Sequence, residues 1–133
     1  MTTEPPARVH YAKLPGLKDV YLEDSYVLSV VEDAGTFKLT LQIVLNEAHP
    51  SYKKPVLERY AYRLGVLEFR DVASVRWSRR SKKKYRDADG RVDYGNVDVF
   101  YRERENNVDV YHLEGDWGVV DVIAGPPIIR LAE

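Results

Sequence analysis

Residues 96–131 read NVDVFYRERENNVDVYHLEGDWGVVDVIAGPPIIRL, and this stretch decides the fold. It contains four short runs rich in Val, Tyr, Phe and Ile: Asn96–Arg102, Val108–Leu113, Trp117–Ile123 and Pro126–Leu131. Asn106-Asn107, Gly115-Asp116 and Gly125-Pro126 separate them. Alternating β-branched and aromatic residues broken by Asn, Asp and Gly predict antiparallel strands joined by tight turns. The C-terminal third is therefore expected to be a four-strand meander.

The same pattern extends upstream. In Phe37–Leu45, the residues Phe37, Leu39, Leu41, Ile43 and Leu45 fall on one face while Lys38, Thr40 and Gln42 fall on the other, the period-two mark of a half-buried strand. Tyr26–Val31 is almost wholly apolar, which predicts a strand covered on both faces. Glu32–Gly35 reads as a turn, Val20–Leu22 as a short strand and Asn46–Pro55 as a loop. Leu57–Phe69 fits helical spacing through Leu57, Tyr60, Ala61 and Leu64, and strand spacing through Tyr60, Tyr62, Leu64 and Val66. Its tyrosines and Gly65 favour strand. Val72–Trp77 is a further strand, with Ala73, Val75 and Trp77 on one side. Residues 78–95 form a polar excursion, and residues 1–12, with Pro5-Pro6, a loose tail. The expected architecture is all-β: a single domain over residues 13–133, built as an antiparallel barrel or a two-sheet sandwich of about eight strands with at most one short helix.

A chain of 133 residues can bury enough surface to fold without metals or crosslinks. Having no cysteine, it can form neither a disulfide scaffold nor a thiolate metal site, and it has no cysteine nucleophile. No apolar leader and no run of about 18 apolar residues are present, so a cytoplasmic protein without membrane contact is expected. His10, His49 and His112 are far apart, and Asp87–Asp93 resembles a calcium loop only superficially, because its glycine and Arg91 occupy the wrong positions. No metal and no cofactor are expected, and Asp89-Gly90 reads as a turn.

Two constellations carry candidate chemistry. The first is Arg76–Arg86, which contains Arg76, Arg79, Arg80, Lys82, Lys83, Lys84 and Arg86 with no acid, and holds Trp77 and Tyr85 near its ends. The chain has 20 basic and 21 acidic residues, so 13 basic residues face all 21 acids outside this segment, a formal balance of −8. A cationic run with aromatic rings suits phosphates and bases. It also suits an acidic partner protein, and the bland alternative is a solvated loop.

The second constellation comes from strand register. A two-residue turn at Asn106-Asn107 sets Arg104 opposite Asp109 and Arg102 opposite Tyr111. The face with Val97, Val99, Tyr101, Val108, Val110 and His112 has more apolar residues than the face with Phe100, Arg102, Tyr111 and Leu113, and is expected to point inward. A turn at Gly115-Asp116 would pair His112 with Val119 and add Trp117 and Asp121 to that inward face. Tyr101, His112, Trp117 and Asp121 would then line a cavity for a small molecule. A catalytic version would use His112 as a base oriented by Asp121, and the structural alternative is a satisfied internal network.

Three functions follow from the sequence, in order. The first is a non-enzymatic protein-binding or accessory module. The second is a small-molecule site, with or without weak chemistry, around His112 and Asp121. The third is nucleic-acid binding through residues 76–86.

Overall fold

The computed structural model describes residues 7–56, 61–88 and 90–132. These residues form eleven strands: β1 (Arg8–His10), β2 (Val20–Asp33), β3 (Thr36–Leu45), β4 (Ala61–Arg70), β5 (Ser74–Arg80), β6 (Tyr85–Arg86), β7 (Val92–Asp93), β8 (Val99–Glu105), β9 (Val108–Gly115), β10 (Gly118–Ile123) and β11 (Ile128–Leu131). Among the described residues helix is limited to a single 3-10 turn at Tyr11–Lys13. Sheet A has the order β1-β8-β9-β10-β5 and sheet B the order β11-β4-β3-β2, while β6 and β7 form a small separate hairpin. The two sheets share one apolar core, giving a sandwich rather than a closed barrel.

The β8–β9 hairpin turns where expected. Asn106 and Asn107 both take positive φ (49° and 64°), as the twist of a two-residue hairpin requires, and asparagine tolerates that conformation. Arg104 pairs with Asp109 and Arg102 with Tyr111. The next turn lies one residue later than its Gly-Asp sequence suggests. Gly115 pairs with Gly118, so Asp116 and Trp117 form the corner and Asp121, not Val119, faces His112. The partner shifts by two residues, which preserves which side chains share a face. β8, β9 and β10 run as a meander, and β11 then crosses to sheet B and pairs with β4.

The face assignment of the meander is reversed along its centre, although Val97, Val110 and Trp117 are buried as expected. Phe100, Tyr111, Leu113, Val120 and Val122 are buried between the sheets. Tyr101, His112, Val119 and Asp121 lie on the opposite, outer face of sheet A and are partly exposed. Counting apolar residues favoured the valine-rich face, but volume decides. Phe69 contacts both Phe100 (ring centroids 5.9 Å apart) and Tyr111 (5.2 Å), and such large rings bury far more apolar area than valines.

Sheet B follows its alternation closely. Phe37, Leu39, Leu41 and Ile43 are fully buried, packed with Leu67 and Phe69 of β4. β4 confirms strand over 61–69, while Leu57–Tyr60 lie outside the described residues. The two short strands expected at Val20–Leu22 and Tyr26–Val31 are one strand, β2, interrupted by irregular register between Tyr21 and Tyr26. The fully buried Ser25 makes this bulge affordable: its hydroxyl donates to the Tyr21 carbonyl (2.7 Å) and accepts from the Val44 N–H (2.9 Å). At the N-terminus, the expected tail is replaced by structure from Arg8 onward. β1 pairs with β8, and Tyr11 is buried, its hydroxyl donating to Glu23 and accepting from the Leu22 N–H. Residues 1–6 lie outside the described residues.

Candidate functional site

The four residues expected to share an interior cavity do not converge. Trp117 is buried on the core side, 1% exposed, and its indole N–H donates to the Asn96 carbonyl at 2.9 Å. Tyr101, His112 and Asp121 stand on the other side of sheet A. Tyr101 and Trp117 line different surface grooves, the former with His10, Tyr11 and Phe100 and the latter with Trp77 and Tyr94.

Register nonetheless aligns five side-chain positions across the outer face of sheet A: His10, Tyr101, His112, Asp121 and Arg76, one from each strand. Tyr101 stacks on His112 (centroids 4.9 Å, 24° between planes), and Arg8 lies 4.5 Å above the Tyr101 ring. Nδ1 of His112 is 2.6 Å from Asp121 and Nε2 is 2.9 Å from Glu114. Both nitrogens can donate only when the ring is protonated. Burial opposes that charge, but the bonds to Asp121 and Glu114 outweigh it and hold the histidine above its ordinary pKa. With both nitrogens engaged by carboxylates, neither is open to accept a substrate proton, which argues against the general-base role.

The basic segment is divided by the fold. Ser78–Arg80, expected in the loop, belong to β5, the edge strand of sheet A. Arg76 sits opposite Asp121 on the outer face. Arg79 donates to the carbonyls of Gly115 (2.8 Å) and Asp116 (3.3 Å). Arg80 pairs with Glu32 at 3.3 Å and covers the Trp77 ring at 4.5 Å, while the Trp77 indole N–H donates to the same Glu32 carboxylate. Lys83 lies over Tyr85 (5.2 Å) and Lys84 over Tyr94 (5.9 Å). Among the described residues, Lys82, Lys83, Lys84 and Arg86 meet no carboxylate within ion-pair distance. The turn after β6 is closed by Asp87, whose carboxylate accepts from the Arg91 N–H at 2.9 Å; Asp89 is outside the described residues. Tyr94 and Gly95 bond the backbone of Val27, which seats this hairpin against the edge of β2. Between the two sheet edges runs a groove of about 310 Å³ lined by Val30, Trp77, Arg80, Lys82, Tyr94 and Trp117.

A third surface was not singled out by sequence reasoning. The outer face of sheet B carries Tyr21, Tyr26, Val31 and Leu64, exposed by 42%, 39%, 40% and 43%, which are half of the large apolar side chains left in water among the described residues. Val66 and Tyr62 share this face, and Tyr26 meets Tyr62 across the sheet (5.9 Å between centroids). At its far end the buried Glu68 is ringed by Arg130 (3.1 Å), Arg70 (3.2 Å) and Lys38 (3.7 Å). The available signal was the apolar second face of Tyr26–Val31 and the Tyr62, Leu64, Val66 stripe, both of which ask for a cover.

Among the described residues no three His, Asp or Glu side chains are grouped to hold a metal ion, and no helix is long and apolar enough to cross a membrane. Comparison with protein-family models, with curated proteins and with solved structures returns no match.

Proposed function

We propose that the protein is a non-enzymatic protein-binding module and that the outer face of sheet B receives the partner. One observation carries this reading: Tyr21, Tyr26 and Leu64 occupy neighbouring rows of a sheet face that nothing among the described residues covers, with Val31 further along the same face opposite Lys38. Clustered exposed apolar side chains, here set among Thr40 and Gln42 of β3, mark interaction sites on protein surfaces. Covering each half-exposed side chain contributes about 1 kcal/mol, so the patch supplies a useful share of a binding free energy.

Charge favours a different protein over a second copy. Three cations surround one carboxylate at Glu68, leaving surplus positive charge beside the apolar patch. Two copies meeting face to face would bring these surpluses together, whereas a partner with acidic residues at its rim would match them.

The test uses the full chain as bait, compared with Leu64→Asp on this face and Val92→Asp on the β6–β7 hairpin. A partner retained by the parent chain and by Val92→Asp, but lost with Leu64→Asp while circular dichroism stays unchanged, is the expected result. A partner indifferent to Leu64→Asp would end the reading. So would a dimer in sedimentation that Leu64→Asp dissolves, because the partner would then be the chain itself.

A further inference from the structure

We infer that the groove between β5 and β2 is a second binding site, for single-stranded nucleic acid. It takes phosphates on Lys82, Lys83, Lys84 and Arg86, and bases on Tyr94 and on the Arg80 guanidinium that lies over Trp77.

Among the described residues four cations that meet no carboxylate follow one another along residues 82–86; Lys82 lines the groove, Lys84 lies over Tyr94 at its wall, and Trp77, Tyr94 and Trp117 give that wall its aromatic part. Strongly basic surface is already unusual on a chain whose residues outside 76–86 sum to −8. The rings distinguish a polynucleotide from an acidic polypeptide, because carboxylates need cations only, while bases need flat partners. Trp77 and Trp117 meet edge to face (5.9 Å, 88°), which fixes both indoles. Arg80 lies over the Trp77 ring at 4.5 Å, and a guanidinium held on an indole offers its own plane for a base to stack upon. The Trp77–Glu32 and Arg80–Glu32 bonds hold that platform in place. A groove of about 310 Å³ between two sheet edges suits individual bases splayed from one strand better than a stacked duplex.

The chain has two tryptophans, the partly exposed Trp77 at the groove and the buried Trp117 packed against it, so intrinsic fluorescence reports occupancy through Trp77. The experiment titrates the full chain with (U)20 and (dT)20 at 50 and 200 mM salt. Parallel titrations use a 20-base-pair duplex and poly-L-glutamate of equal charge. Saturable quenching by a single strand is expected, and the two oligonucleotides show whether RNA or DNA binds more tightly. With four phosphates neutralised, affinity should fall about fiftyfold between the two salt concentrations. Replacing Lys82, Lys83 and Lys84 together with Ser should cost at least tenfold in affinity with no change in melting temperature, since all three are exposed. Absence of quenching by either oligonucleotide at 50 mM salt would overturn the inference. Equal binding of the triple-Ser chain, equal binding of the duplex, or displacement of the oligonucleotide by poly-L-glutamate would overturn it too.

Discussion

Replacing Gly115 with Ala tests how tightly the end of the β9–β10 hairpin is packed. A Cβ at this position would run into the Asn96 carbonyl and the Trp117 indole nitrogen, and would come within 2.8 Å of Trp117 Cδ1. The neighbours cannot yield easily: Trp117 is 1% exposed, its N–H is bonded to that same Asn96 carbonyl, and the Gly115 carbonyl holds Arg79. Overpacking a full core costs about 1–3 kcal/mol. Breaking the indole bond in a buried setting adds about 1–2 kcal/mol. Together these should lower the melting temperature by about 10 °C in a domain of this size. Thermal unfolding followed by circular dichroism gives the number, and tryptophan emission reports displacement of the ring. Gly35→Ala is the control: φ is +78° there and nothing lies within 4 Å of the added carbon, so only backbone strain of about 1–2 kcal/mol applies. If Gly115→Ala melts no lower than Gly35→Ala, the packing around Trp117 is not as described, and the groove it floors loses its rigidity.

Other perturbations test other parts of the molecule. The raised pKa of His112 means that its contribution to stability is complete below the unfolded-state value of about 6.5 and is lost as pH rises through the higher folded value; His112→Gln should therefore lower the melting temperature more at pH 6 than at pH 8, and an equal loss at both would show that the ring is not charged in the fold. Tyr11→Phe removes the hydroxyl that receives the Leu22 N–H and donates to Glu23, and should cost about 1–3 kcal/mol by urea unfolding. Glu68→Gln leaves Lys38, Arg70 and Arg130 to repel one another, and should cost about 1 kcal/mol at low salt and less at 1 M, where such repulsion is screened; a salt-independent cost would point to lost packing instead.

Much of the fold was legible because strand periodicity is local. The alternation in Phe37–Leu45 and the Asn106-Asn107 turn each depend on a few neighbouring residues, and both are realised. His112 and Asp121 meet as the shared face required, although their register differs by two residues, because a shift of two leaves side chains on the same side. What was not legible depends on matters outside the local pattern. Which face of the meander is inside was settled by Phe69, which arrives from the other sheet to fill the space beside Phe100 and Tyr111. The Glu68 cluster joins residues from β3, β4 and β11, and only long-range pairing brings them together. β1 is three residues long and pairs with a strand some ninety residues away, so its short sequence carries no strand signal of its own.

The wide separation of paired strands has a consequence during synthesis. β2, β3 and β4 are joined by consecutive pairings and are complete once Arg70 has left the ribosome, yet the sheet that covers Phe37, Leu39, Leu41 and Ile43 is not finished until Ile123 emerges. At translation speeds of about 5–20 residues per second, roughly 3–10 s pass between these events. Through that interval a greasy half-sandwich hangs from the ribosome, a natural client for chaperones, and the pace of translation across residues 71–123 sets how long it waits.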